Sequence, residues 1–336
     1  MPVLGTGVLP ASGAIANELT YLTRRAFVPK LIVQNIYQAT PTLSMLLSNA
    51  QFASGGVSPI TVPVQGAKYT VTQAAGYDGT FTQPTVTQGA WNAEFNLKLS
   101  ITPIPFLGME GLVQVDAAVI PILAARLNDA GNGMADFLST DLWTNSTDGE
   151  HLVGFPGAIA AAGTYGGLAR GTYSWWKANA QSVSATPHLT RAAALQWIVS
   201  ATKAAGGEMP DFGVTGPGTW ADLASDFLTA EHYEVRNGEG FDKVAGGVRA
   251  AFVALNVAGV PIYMDPYSPE GQIIIGNSRY GALYLHEMAS FVFTGFQSLL
   301  ANYQLGYVGA LVNLAEFVLM KPSAWTIVTG FTSLTV

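Results

Sequence analysis

The four histidines are the side chains of this sequence best suited to acid–base or metal chemistry, and they are widely spaced. They stand at positions 151, 188, 232 and 286. His286 precedes Glu287, but Ser290 occupies the position where a zinc helix of the His-Glu-x-x-His type needs its second histidine. The absence of cysteine excludes thiolate metal ligands and a disulfide framework. The histidines could still converge in the fold, which keeps a soluble hydrolase open as a remote alternative.

The other motifs that could carry chemistry are incomplete. The stretch GVTGPG at 213–218 resembles a glycine-rich phosphate loop, but it lacks the Gly-Lys-Ser/Thr ending and is predicted to be a turn. No Gly-x-Ser-x-Gly nucleophile elbow occurs. Asp222, Asp226, Glu231 and Glu234 are spaced as one solvated helix face. The sequence therefore predicts no catalytic residue, no metal site and no cofactor site.

The most concentrated cluster of unusual side chains is GGLARGTYSWWKA at 166–178. Two adjacent tryptophans, a tyrosine and two cations could form a ligand pocket, a stacking platform for nucleic acid or a structural anchor. A stacking platform needs interleaved basic residues, and only Arg170 and Lys177 accompany the rings. The net charge of −7 also argues against a strong grip on phosphates. A stacking platform is therefore disfavoured, and the ligand pocket and the structural anchor stay open at this point.

Composition indicates that a large part of the surface is covered. Only 11% of the 336 residues are charged, against about 25% in an ordinary soluble domain, and 49% are apolar. A membrane or a protein interface must cover such a surface. The best candidate for a membrane-spanning helix, 288–315, carries no charge, but it is interrupted by four amide side chains and three glycines, and it lacks basic flanks. The N-terminus has no basic region of a signal peptide. We therefore predict a protein interface and no membrane partner.

Alternating hydrophobicity identifies a long two-stranded arm. Residues 60–64 alternate, and residues 91–102 alternate without a break, which predicts a half-buried strand about 40 Å long. Pro103 and Pro105 are expected to end it. A two-stranded ribbon alone is marginally stable in water. We therefore expect the arm to lie on a neighbouring subunit and to bury Trp91, Phe95, Leu97 and Leu99 there.

Helical and mixed patterns fill the rest of the chain. Apolar residues recur at threes and fours over 109–143, which predicts one long helix with Pro121 as a kink or a new start. From residue 187 helices and short strands alternate, beginning with a helix capped by Thr190, and strands continue from 307 to the end. The predicted class is α+β, with a compact α/β region to which an arm, a long helix and a tail are attached.

Four segments in this order resemble the major capsid proteins of tailed bacteriophages, which share the Hong Kong 97 (HK97-like) fold. The resemblance rests first on Gly166, Gly167, Leu168, Arg170, Thr172, Trp175 and Trp176. The lead-in GFPGAIAAAGTYGG is similar to the family pattern, as are AAGGEMPDFGVTGPGTWADL and VAGVPIYMDPYSPEGQIIIGNSRY further along the chain.

The resemblance implies four structural parts. They are an N-terminal arm at 1–50, an extended loop or E-loop at 51–105, a peripheral domain with a spine helix at 106–186 and 306–336, and an axial domain at 187–305. It also implies contacts between subunits through Arg24 and Arg25 in the arm and through Lys68 and Tyr69 in the loop. Like the strand residues above, these belong to the predicted intersubunit contact. Within the subunit, the resemblance implies that Arg170, Trp175 and Trp176 form a structural anchor between the peripheral and axial domains.

As a function, the resemblance implies a non-enzymatic head-shell protein. The chain would assemble with itself into hexamers and pentamers of an icosahedral capsid in the virion. That capsid would hold double-stranded DNA against its inner surface without sequence specificity. Portal, scaffold and decoration proteins are the family's further partners, and assembly takes place in the bacterial host cytoplasm. No cofactor is implied.

Two features depart from the family and one alternative stays open. No scaffolding-like leader precedes the arm, so an internal scaffold and its proteolysis are not expected. Lys68 is the lysine near the loop tip, but nothing identifies an asparagine and a glutamate to react with it, so no covalent cross-link is expected. An encapsulin-type nanocompartment shell, which resembles the same fold and encloses cargo proteins, is the alternative function.

Overall fold

A computed structural model describes residues 40–53, 59–66, 77, 79, 89–107, 122–145, 149–184, 187–230, 254–299 and 306–333. The helices in these ranges are α1 (Pro41–Ser48), α2 (Ile122–Trp143), α3 (Phe155–Ala158), α4 (Arg191–Ala204) and α5 (Pro217–Ala230). The first eight strands are β1 (Gln51–Ala53), β2 (Ile60–Gln65), β3 (Ala90–Phe95), β4 (Lys98–Leu107), β5 (Thr164–Tyr165), β6 (Leu168–Ala169), β7 (Asn179–Ser182) and β8 (Phe212–Thr215). The others are β9 (Ala254–Val257), β10 (Val260–Met264), β11 (Gln272–Gly276), β12 (Gly281–His286), β13 (Val292–Phe293), β14 (Gln297–Ser298), β15 (Gly306–Leu319) and β16 (Thr326–Thr329).

The chain divides into two compact units. The smaller comprises residues 1–38, 99–137 and 288–314, and the larger comprises residues 39–98, 138–287 and 315–336. Helix α2 and strand β15 each contribute residues to both units. None of the described helices is long and apolar enough to span a membrane.

A six-stranded mixed sheet in the order β7-β16-β11-β8-β10-β9 organises the larger unit. All five residues of β11 are buried, as expected of a central strand that is covered on both faces. Its core contains Ile273 and Ile275 of β11 together with Ile198 of α4 and Leu223 of α5. Helix α4 begins where the sequence predicted, because the Thr190 hydroxyl accepts a hydrogen bond from the Ala193 amide at 3.2 Å.

Strand β15 is the axis of a second sheet. In the larger unit its end pairs with β12 from Leu285↔Ala315 to Gly281↔Leu319, and β12 pairs in parallel with β1. In the smaller unit β13 and β14 pair with β15 through Val292↔Val312 and Gln297↔Val308. Strand β4 also pairs with β15, which is its one strand partner among the described residues.

The long helix agrees with the prediction where the structure describes it. Helix α2 covers 122–143, whereas 109–121, including the predicted break at Pro121, lies outside the described residues. Met134, Leu138 and Leu142 are buried at a spacing of four. Leu127 and Phe137, two of the apolar residues that recur at threes and fours in this segment, are instead 40% and 42% exposed.

The predicted arm is present at its root and differs in detail. Strands β2 and β3 pair antiparallel from Ile60↔Phe95 to Gln65↔Ala90, and we refer to this pair as the ribbon. The predicted single strand over 91–102 is wrong, because β3 ends at Phe95 and β4 starts at Lys98. The prediction that Pro103 and Pro105 end the strand is also wrong, since β4 continues to Leu107. A strand with one partner has a free edge, where a residue without an N–H is tolerated.

Candidate functional site

Residues 154–176 support the ribbon, and we refer to them as the seat. Gly154 caps α3 and lies against the end of α2, where a Cβ would meet the carbonyl oxygens of Thr144, Leu142 and Asp141 at 2.2–2.8 Å. Strands β5 and β6 form a hairpin whose two turn residues, Gly166 and Gly167, have φ angles of +57° and +76°. This is the type I′ geometry that suits a two-residue hairpin, and it explains the glycine pair in the sequence.

Arg170 holds the backbone of the seat together. Its side chain is 1% exposed. Nη1 donates to the carbonyl oxygens of Gly157 and Ala162 at 3.1 Å each, and Nη2 donates to the carbonyl oxygen of Ala158. The guanidinium carbon lies 5.0 Å from the centroid of the Tyr165 ring. Burial lowers the pKa of the Arg170 guanidinium, which nevertheless stays charged in proteins. The cation therefore satisfies carbonyl groups that α3 and the following turn leave unpaired.

Tyr165 and Trp176 connect the seat to β15. The indole Nε1 of Trp176, which is buried, donates to the carbonyl oxygen of Tyr165 at 2.9 Å. The Tyr165 hydroxyl accepts from the Leu319 amide at 2.8 Å. Burial raises the pKa of the Tyr165 phenol, so the hydroxyl is neutral at physiological pH. These bonds fix the seat on the core strand of the larger unit.

The ribbon packs on this seat through one face of β3. The Trp91 ring lies 5.1 Å from Trp175 and 5.5 Å from Tyr173, between ring centroids. Phe95 lies 4.9 Å from Tyr165 in an edge-to-face arrangement. The contact between Gly166 and Phe95 is equally close, since a Cβ on Gly166 would lie 2.7 Å from the Phe95 ring.

Backbone groups complete the attachment. The Glu94 amide donates to the Gly166 carbonyl oxygen at 3.0 Å. At the other strand, a Cβ on Gly66 would overlap the Trp175 ring at 2.0 Å, so the β2 end of the ribbon also lies directly on the seat. Much of the apolar face of the ribbon root is therefore covered by its own subunit.

Beyond the ribbon, the side-chain alternation reverses. Trp91, Ala93 and Phe95 face the seat, but after residues 96 and 97 the buried positions become Ser100 and Ile104. Leu99 and Ile101 are each 54% exposed. With the exposed Pro103 and Pro105 they form what we term the outward row of β4, in which all four side chains are apolar. An inserted residue shifts every following side chain to the opposite face of a strand.

The predicted intersubunit residues fall into three groups. Arg24, Arg25, Lys68 and Tyr69 lie outside the described residues. Phe95 is 4% exposed and Trp91 is half-buried, both against the seat. Leu97 is half-buried, and Leu99 is the one that presents an open apolar surface.

Comparison with solved structures gives matches that cover nearly the full length of this chain. A capsid protein from the asymmetric unit of cyanophage A-1(L) matches with a TM-score of 0.69 at 15% identity, over 94% of this chain and 99% of that chain. The capsid of Myoviridae phage XM1 matches with a TM-score of 0.57 at 12% identity, over 97% and 99%. The chain has the HK97-like capsid fold. The encapsulin SrpI from Synechococcus elongatus shares it, with a TM-score of 0.56 at 12% identity over 98% and 99%. No protein-family model and no curated protein matches the sequence.

Within this capsid fold, two of the described histidines each lie beside a different aspartate. His151 Nδ1 lies 2.8 Å from Asp141 Oδ1, and His188 Nδ1 lies 3.1 Å from Asp222 Oδ2. Asp222 is buried, so its assignment to a solvated helix face is wrong. His232 lies outside the described residues. In the part of the chain that the structure describes, no group of three or more histidine, aspartate or glutamate side chains could hold a metal ion.

In the segment at 213–218 that resembled a phosphate loop, a carboxylate of the chain itself occupies the place of a bound phosphate. The Glu270 carboxylate accepts from the amides of Gly218 and Thr219, at 2.9 and 3.0 Å, in the first turn of α5. A helix N-terminus favours a negative charge, and here the chain's own side chain supplies it. The prediction that 213–218 is a turn is wrong, because Gly213–Thr215 belong to β8 and Pro217 already begins α5, so that Gly216 alone links the two elements.

Sequence reasoning missed two parts of the contact between the seat and the ribbon. Tyr165 was not singled out, although its hydroxyl, carbonyl oxygen and ring contact β15, Trp176 and Phe95. Its position immediately before a Gly-Gly pair was the available signal for a hairpin. Gly66 carried no signal, because its partner Trp175 is more than a hundred residues away in the sequence.

Proposed function

We propose that this chain is a major capsid protein, and that many copies assemble into the icosahedral head shell enclosing the double-stranded DNA of a tailed bacteriophage. The observation that carries the proposal is the match in fold, over nearly the full length of both chains, to capsid proteins of several phages. The sequence motifs around Trp175 and Trp176 resemble the same family. A protein that acts by building a shell needs no catalytic site or cofactor, and we propose that this chain has neither.

The contrast between the seat, which makes contacts within the subunit, and the outward row, which is exposed, supports a role in assembly. The seat holds the ribbon root by contacts within one subunit, so a free subunit can carry this root already in position. The outward row leaves Leu99 and Ile101 open to a second copy. Each such contact is small, but a closed shell repeats it many times, and multivalent closure makes the sum stable. The low charge of the sequence then reflects surface that faces other subunits.

The remaining assignments belong to the same proposal. We keep the division into an N-terminal arm, an E-loop, a peripheral domain and an axial domain, with subunits grouped in hexamers and pentamers. Arg24 and Arg25 would contact one neighbour, and Lys68 and Tyr69 another. With a net charge of −7 the chain has no general affinity for DNA, so the genome would be enclosed by packaging and not by binding. The location would be the virion.

An encapsulin-type shell is the second candidate, because the encapsulin SrpI has the same fold over 98% of this chain. The two functions differ in what the shell encloses. A phage capsid contains DNA and works beside a portal, whereas an encapsulin contains protein cargo. The higher TM-score of the cyanophage capsid, 0.69 against 0.56, favours the capsid.

Expression of the full chain, followed by light scattering and electron microscopy, tests the proposal. The expected result is particles of megadalton mass with icosahedral outlines, formed by the chain alone or with a scaffold protein. Subunits that stay monomeric or dimeric at high concentration under every condition, with and without a scaffold, would overturn it. Particles purified from the native source after nuclease treatment then separate the two shells, since protected double-stranded DNA indicates a capsid and protein cargo indicates an encapsulin.

A further inference from the structure

Two buried carboxylates from different elements hold the loop that leads into the seat. Asp141, in the last turn of α2, accepts a hydrogen bond from the Leu152 amide to Oδ2 at 2.7 Å. Glu316, on β15, accepts from the Val153 amide to Oε1 at 3.1 Å. Their side chains are 4% and 1% exposed, respectively. Consecutive amides of one loop are thus bound to a helix and to a core strand, directly before Gly154 and α3.

The second oxygen of Glu316 is unusual. Oε2 is buried and has no hydrogen-bond partner in the described part of the chain. A buried ionised carboxylate with an unpaired oxygen is costly, whereas the neutral acid is tolerated. The pKa of Glu316 is accordingly raised to about 7: burial is the main cause and the neighbouring Asp141 adds to it, whereas the Val153 amide, Lys98 and the Phe317 amide act in the opposite direction.

Charged and titratable groups surround Glu316. Lys98 at the start of β4, Asp141 on α2 and Tyr165 in the seat interact with it electrostatically, and Tyr284 on β12 is its cross-strand partner. His151 and Arg170 lie beside these groups, next to Asp141 and Tyr165 respectively. Lys98 and Asp141 also bind the loop itself. Lys98 Nζ donates to the Gly149 carbonyl oxygen, and Asp141 Oδ1 lies 2.8 Å from His151 Nδ1. Lys98 and Asp141 are therefore charges of opposite sign that act on one acid.

We infer that Glu316 is a protonation switch for loop 149–154. When Glu316 is neutral the loop is held firmly, and when it ionises, between Lys98 and Asp141, the loop loosens. The folded pKa lies above the ordinary value of 4.5, so the stabilisation is complete below about pH 4.5 and is lost as the pH rises through about 7. The loop leads into α3, whose Gly157 and Ala158 carbonyl groups bind Arg170, so the seat of the ribbon would respond to the same proton. The switch is a property of the subunit and does not depend on the proposed shell.

Hydrogen exchange of the peptide covering 149–155, in the full chain between pH 5.5 and 8, tests the inference. After correction for the intrinsic rate, we expect protection of the wild-type loop to fall by more than about tenfold across this range. Glu316→Gln keeps the shape and the acceptor of Val153 but cannot ionise, and its protection should stay constant. Equal pH dependence in the two proteins would overturn the inference.

Two further variants test the sign of each neighbouring charge and remain informative if Glu316→Gln does not fold. Asp141→Asn removes a negative charge, so the midpoint of the loss of protection should move to lower pH. Lys98→Met removes a positive charge and should move it to higher pH. Midpoints that move in the same direction, or that stay unchanged in both variants, would show that Glu316 does not control the loop.

Discussion

Residues 91–95 and residues 99–105 continue one alternating sequence, yet their apolar side chains have opposite surroundings. In the first stretch Trp91 and Phe95 pack on the aromatic rings of the seat. In the second, Leu99 and Ile101 point to the solvent while Ser100 between them is buried. The two positions 96 and 97, where no strand is formed, reverse the alternation.

The difference separates the residues that fold the subunit from those that are available for assembly. Full burial of a phenylalanine or leucine side chain stabilises by about 2 kcal/mol, and Phe95 already makes that contribution inside its own chain. At 54% exposure, Leu99 and Ile101 have much of this contribution still to gain against a partner. Substitutions in the two stretches should consequently affect different measurements.

The largest effect is expected for Phe95→Asp. It places a carboxylate without a partner against Tyr165 and Gly166, and a buried unpaired charge of this kind destabilises by about 4 kcal/mol or more. The free energy of unfolding of unassembled subunits, measured with denaturant, should show this loss or a failure to fold. Phe95→Leu is the control and should lose about 1 kcal/mol. A stable, folded Phe95→Asp subunit would place the side chain on an intersubunit surface, as the sequence first indicated.

Arg170→Met should have the next largest effect. The methionine keeps the aliphatic stem but leaves the carbonyl oxygens of Gly157, Ala158 and Ala162 without their donor, which we expect to reduce the free energy of unfolding by about 3 kcal/mol. Arg170→Lys retains the charge but can donate to fewer of the three oxygens, so its free energy of unfolding should lie between those of the wild type and Arg170→Met. Equal stability of Arg170→Met and wild type would contradict a structural role for this cation.

Several elements could be predicted because their signals are local. Thr190 caps α4 from three residues away, and period-two alternation identified both strands of the ribbon. The aromatic cluster stood out by composition, and the low charge indicated a covered surface. These signals require no knowledge of what the segment packs against.

The remaining features depend on contacts that are distant in the sequence. The reversal at residues 96 and 97 is not marked by a proline or a glycine, and Asp222 looks solvated until His188, on another segment, is brought beside it. The prolines of β4 are compatible with a strand only because β15 occupies one edge. The alternation likewise shows that a row of side chains is apolar, but the surface that covers the row depends on the assembled fold.

A smaller effect is expected for Gly166→Ala at the contact between the seat and the ribbon. The added methyl group would meet Phe95 at 2.7 Å and Ala93 at 3.0 Å, at a φ of +57° that disfavours alanine. We expect a loss of about 2 kcal/mol in the free energy of unfolding. Gly167→Ala is the matched control, because its φ is also positive, at +76°, but a Cβ there would meet open space, so it should lose only about 1 kcal/mol, from backbone strain alone. If both glycines tolerate alanine equally, the ribbon root does not lie as closely on the seat as described.

The smallest effect on folding, combined with the complete loss of particles, is expected for the double variant Leu99→Asp and Ile101→Asp. Both side chains are half exposed, so the free energy of unfolding should change by less than about 1 kcal/mol. Two charges on the outward row would have to be desolvated against a second copy, and light scattering should show subunits but no shells.

Asn96→Asp adds a charge at an exposed position just before the row and should assemble normally, which separates the loss of the apolar contact from a general effect of charge. Normal shells from the double variant would show that the outward row faces solvent in the particle. In that case the apolar row would need another occupant, and the separation between folding and assembly residues on this strand would no longer hold.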